Sequence, residues 1–107
     1  MKKEVTKGSR NVFADLGFDK PEEMRIRAWL THQIYQIIKN RGLTQKEAGQ
    51  LLGLKQPDVS DLMNGKFMDF SVDRLLNLLV RLNQEVEIII RPVPDGAGKA
   101  GIRVTAM

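Results

Sequence analysis

The chain has 107 residues, enough for one domain with short appendages but not for two hydrophobic cores. Its 17 Lys and Arg against 13 Asp and Glu leave a net charge of +4, compatible with a polyanionic partner, and 42% hydrophobic with 28% charged residues is ordinary for a globular fold. The absence of cysteine excludes a disulfide framework or thiolate metal site, the lone His32 excludes a histidine-rich one, and no apolar run approaches the ~20 residues of a membrane span. No signal-peptide core follows the basic start, so a soluble, cytoplasmic protein is expected.

Residues 1–20 form an arm of mixed character. Lys2, Lys3, Lys7 and Arg10 make its start basic, after which Asn11 can cap one short helical turn that Gly17 ends. Phe13, Leu16 and Phe18 are too apolar for a free tail and dock either on the body or on another protein. A long helix then begins at Pro21, with Glu22 and Glu23 beside the positive end of its dipole. Ile26, Leu30, Ile34, Ile37 and Ile38 recur at helical spacing up to Asn40, while Trp29 and Tyr35 fall off this stripe and read as rim packing or partner contacts.

Residues 43–64, LTQKEAGQLLGLKQPDVSDLMN, spell two short helices joined by a tight turn. Thr44 and Glu47 have capping-box spacing, which predicts a helix from Gln45. Ala48, Leu51 and Leu52 give that helix an apolar face, and Ala48 is the small residue expected at the helix crossing. Gly53 supplies a permissive backbone for the turn, and Leu54 points inward as a plug. Pro57 suits the first position of a second helix flanked by Gln56; Val59, Leu62 and Met63 form its buried face, and Asn64-Gly65 stop it. Lys46, Lys55 and Lys66 are balanced by Glu47, Asp58 and Asp61, so the motif is neutral. Attraction to phosphate therefore needs Lys39, Arg41, Arg74 or the basic N-terminal group.

Ser71 caps a further helix with Val72, Leu75, Leu76, Leu79 and Leu82 as its buried stripe, Leu78 and Val80 beside it, and Asn83 at its end. The period then changes: in residues 85–91, EVEIIIR, the side chains of Val86, Ile88 and Ile90 alternate onto one face, which predicts a strand closed by Pro92. Its partner is either residues 102–105, returning as a hairpin across a Gly-rich loop, or the same strand of a second copy. Strand-mediated dimerisation through Val86, Ile88 and Ile90 is favoured.

The run TQKEAGQLLGLKQPDVSDLMNGK resembles the helix-turn-helix of lambda-repressor-like, Xre-type regulators over about residues 43–66. The resemblance implies a second helix lying in the major groove of operator DNA. Gln45 matches a phosphate-contacting position, and Gln56 matches a base-reading one whose amide suits adenine. Pro57 departs from the polar residue often found there and removes one reader. Ser60 and Asp61 match groove-facing positions, Asp61 being able to accept from a cytosine amino group, while Lys55, Asn64 and Lys66 face phosphates. The wider layout, with NVFADLGF, the long helix, the motif and VEIIIRPV over about residues 11–93, looks like the HigA-type antitoxins. That resemblance implies a RelE/HigB-like partner toxin and autorepression of a shared promoter.

The expected fold is mainly α: a lambda-repressor-like bundle with an N-terminal arm (1–20), a helix-turn-helix domain (21–84) and a C-terminal strand or hairpin with a tail (85–107). A free-standing repressor is the alternative, as is a protein-interaction module, which the neutral motif favours. An enzyme is not expected, since no nucleophile and base pair or metal triad can be assigned, and neither is a cofactor.

Overall fold

A computed structural model describes residues 20–107 and folds them around four helices, α1 (Lys20–Asn40), α2 (Gln45–Leu52), α3 (Gln56–Met63) and α4 (Val72–Arg81). In α1, Ile26, Leu30, Ile34 and Ile38 succeed one another every fourth residue and are all buried, so one narrow seam runs the length of the helix. That seam packs against α4 and α3. Arg27 braces it from the side, donating from Nη2 to Glu23 Oε1 at 2.7 Å and from Nη1 to the Met68 carbonyl at 3.2 Å, which fastens α1 to the connection between α3 and α4.

The capping box forms as its spacing predicts. The Glu47 amide donates to Thr44 Oγ1 at 3.1 Å, and the Thr44 amide donates to Glu47 Oε1 at 2.9 Å. The two bonds satisfy donors that the first turn of α2 would otherwise leave to water. Thr44→Ala is expected to cost about 1 kcal/mol in urea unfolding; an unchanged midpoint would mean that α2 is held by its packing alone.

Ala48 and Leu52 of α2, Val59 and Leu62 of α3, and Val72, Leu75, Leu78, Leu79 and Leu82 of α4 and its C-cap complete the core. Phe70, in the connection before α4, is also buried. Ser71 caps α4 as expected, accepting from the Arg74 amide at 3.1 Å. The buried stripe is shifted relative to the sequence expectation: Leu78 is inside and Leu76 only half-buried. Leu82 is the C-cap of α4, and Asn83 follows it with φ 64°.

The C-terminal strand is the expectation that the structure corrects. Among the described residues there is no strand, and 84–94 run without regular hydrogen bonding, leaving Ile88 62% and Ile90 93% exposed. The alternation of Val86, Ile88 and Ile90 reports side-chain preference, but a strand exists only when a second segment accepts its backbone hydrogen bonds. Residues 102–105 do not return as that segment. Ile102 is drawn to α1 instead: its carbonyl accepts from Arg25 Nη2 at 3.0 Å, its amide lies 3.5 Å from Glu22 Oε2, and Ile102 and Val104 pack on the core. The expectation of a C-terminal strand or hairpin is therefore withdrawn. The short turn expected at residues 11–17 and the docking of Phe13, Leu16 and Phe18 lie outside the described residues. No helix among the described residues is long and apolar enough to cross a membrane.

Candidate nucleic-acid interface

The geometry of the α2–α3 pair follows from two glycines. Gly53, the C-cap of α2, has φ 68°, a left-handed backbone that turns the chain sharply enough for α3 to start only three residues later. Gly49, one turn earlier, is tightly enclosed: a Cβ there would lie 3.0 Å from the Leu54 carbonyl oxygen and 3.4 Å from Val59 Cγ2. The Leu54 amide donates to the Gly49 carbonyl at 2.9 Å, so the turn is strapped to the helix at the place where a side chain would intrude. Ala48, the small residue expected at this crossing, is fully buried next to Gly49 in the chain. The available signal was Gly49 itself, a glycine inside an otherwise helical run.

α3 begins at Gln56 rather than Pro57, with Lys55 as an N-cap that makes no side-chain capping bond. Pro57 therefore occupies the second position, where its missing N–H is still harmless. Gln45, Lys55, Gln56 and Pro57 are all exposed. Gln45, Lys55 and Gln56 line one open recess of about 430 Å³ together with Lys46, Gln50, Gly49, Gly53 and Leu54. The recess joins the amide at the start of α2 to the amide at the start of α3 and adds two polar side chains that the sequence reading did not single out, Lys46 and Gln50.

Farther along α3, Ser60 and Asp61 are half-buried, whereas Asn64 and Lys66 are exposed. Asn64 Nδ2 approaches Ser60 Oγ at 3.4 Å, a weak bond that aligns the two side chains one turn apart. The Lys66 amide donates to the Asp61 carbonyl at 2.8 Å, which folds the chain back beneath the end of α3 and keeps Lys66 beside it. Val86, Ile88 and Ile90 are exposed on the C-terminal segment and do not line the recess.

Charge is distributed by engagement as well as by number. Of the flanking cations expected to attract phosphate, Arg41 donates to the Leu82 carbonyl, Arg74 pairs with Asp58, and Lys39 lies 5.7 Å from the centre of the Tyr35 ring. Lys46, Lys55 and Lys66 are exposed and form no salt bridge among the described residues. Of these six cations, the ones with no side-chain hydrogen bond, ion pair or ring contact among the described residues are thus those of the neutral motif itself, while its acids are partly occupied: Glu47 by Thr44, and Asp58 by Arg74. The Glu47 carboxyl is held below its ordinary value by hydrogen bonds from the Thr44 backbone and side chain. A lowered carboxylate value adds stability in full above the ordinary value and loses it as pH falls through the lowered one. The box therefore weakens in acid and is intact at neutral pH.

A family model for a helix-turn-helix domain matches residues 12–91 of the chain. Among solved structures, a protein assigned to the XRE family of transcriptional regulators is similar at 40% identity with a TM-score of 0.79, over 81% of this chain and 98% of that one. No curated protein matches.

Proposed function

The chain belongs to the helix-turn-helix domain family, and on that premise we propose that it is a sequence-specific DNA-binding transcription regulator. The observation that carries this reading is the recess between Gln45 and Gln56, in which two amides at successive helix starts sit beside the unpaired Lys46 and Lys55. In the proposed complex α3 enters the major groove. Gln56 reads a base edge, and Ser60 and Asp61 face the groove beyond it. Gln45, Lys55, Asn64 and Lys66 meet phosphates, and Pro57 sets the start of the helix without reading. Selection of duplexes from a random pool tests the reading. The expected product is two inverted half-sites about 10–10.5 base pairs apart, the spacing of a two-fold pair of readers; recovery of unrelated sequences would contradict it.

The working form is a homodimer, and the exposed side chains of Val86, Ile88 and Ile90 are its proposed contact. Exposures of 37%, 62% and 93% place these apolar groups where a second copy can cover them. Ile88→Lys is expected to shift sedimentation from dimer to monomer and to weaken operator binding more than 10-fold by loss of the second contact. An unchanged sedimentation profile would move the interface elsewhere.

The regulator is further proposed to be the antitoxin of an operon-encoded pair, neutralising a RelE/HigB-like toxin and repressing the shared promoter. Support comes from the resemblance of the whole layout, from the segment around Asn11 to the one around Val93, to HigA-type antitoxins. Co-purification from the native operon is the test. A small basic toxin retained on the tagged chain supports the antitoxin role, and a chain recovered with promoter DNA alone supports a free-standing repressor.

A further inference from the structure

Arg74 has an unusual setting for a surface cation. Its guanidinium carbon lies 4.6 Å from the centre of the Phe70 ring, and Nη2 lies 3.7 Å from Asp58 Oδ2. Phe70 is 1% exposed, so the ring that carries the guanidinium is fixed in the core. Asp58 stands in the first turn of α3, two residues after Gln56. With side chains 44% and 43% exposed, the pair is too well solvated to contribute much to folding. Its position has a larger consequence. Asp58 and Asp61 put two carboxylates on a helix of eight residues that has to approach a polyanion, and no residue of α3 from Gln56 to Met63 is basic. An unneutralised carboxylate near phosphate repels it, and the repulsion grows as water is squeezed from the interface.

We propose that Arg74 governs DNA binding through Asp58: anchored on Phe70, it neutralises the carboxylate at the start of α3 and so admits that helix to the phosphate-lined groove. Arg74 is thus a positioning residue that sets the local charge of the reader. The inference rests on the DNA-binding reading above and assigns the regulation of that same surface.

The two ideas separate in one set of titrations on a selected duplex across several salt concentrations, using wild type, Arg74→Ala, Asp58→Asn and the double variant. Arg74→Ala is expected to weaken binding about 10-fold by exposing the carboxylate. Asp58→Asn is expected to bind at least as tightly as wild type, and the double variant to return to within about twofold of Asp58→Asn, the non-additivity of a coupled pair. A double variant as weak as Arg74→Ala, with a salt slope flatter by about 1, would overturn the proposal by making Arg74 a phosphate contact in its own right. Failure of the wild type to select any duplex would overturn the DNA-binding reading and this inference with it. Arg74→Gln, which keeps the stem over Phe70, serves in place of Arg74→Ala if the latter does not fold; rescue by Asp58→Asn is expected there too, and its absence counts equally against the proposal.

Discussion

Gly49→Val is expected to destabilise the protein by about 2–3 kcal/mol and to abolish selective DNA binding. The first atom of any side chain at this position would already stand 3.0 Å from the Leu54 carbonyl oxygen, and the two further carbons of valine would be driven toward that oxygen or toward Val59. Neither neighbour can yield freely, because the Leu54 amide is bonded back to Gly49 and Val59 is fully buried. The helices must then separate, which moves Gln56 relative to Gln45 and disperses the recess that joins them. Gly49→Ala is the informative companion. Alanine gains about 1 kcal/mol of helix propensity over glycine and sets this gain against one tight contact, so its net effect should be small. Urea unfolding and binding titrations on both variants check the account. Valine tolerated as well as alanine would mean that the crossing has room the geometry denies.

Phe70→Ala should cost about 3–5 kcal/mol, the range for removing a fully buried aromatic ring. Phe70 is among the largest fully buried side chains of the described chain and is supplied by the connection between α3 and α4 rather than by a helix. Its loss leaves a cavity at the start of α4 and removes the platform under Arg74. The variant should therefore show a lowered unfolding midpoint and, where still folded, the same DNA-binding defect as Arg74→Ala, again relieved by Asp58→Asn. A loss below about 1 kcal/mol would show that the connection collapses to fill the space.

Local chemistry made the helices legible in the sequence. Thr44 with Glu47, Ser71 before Val72, Pro57 near the start of α3 and Asn64-Gly65 at its end each act over a few residues, and the structure places a helix boundary at or within one residue of each. The isoleucines of α1 likewise announce their seam by spacing alone. What escaped depends on partners distant in the chain. Val86, Ile88 and Ile90 stay exposed while residues 102–105 lie elsewhere, with Ile102 bonded to Arg25 and Glu22 some 80 positions away and packed with Val104 on the core. Why glycine stands at position 49 depends on the Leu54 carbonyl, which only the fold brings beside it. Arg74 was legible as a cation, but its engagement with Asp58 and Phe70 requires the fold. The same holds for Lys46 and Gln50, whose place beside Gln56 exists only once the turn at Gly53 is made.

The central claim is that α3 reads base sequence from the exposed amide at its start. The most direct measurement is a competition shift assay of wild type and Gln56→Ala on a selected duplex and its single-base variants. Loss of about 1–3 kcal/mol of discrimination at one base position, with non-specific binding retained, is the predicted result. An unchanged order of preference among the variants would contradict the claim.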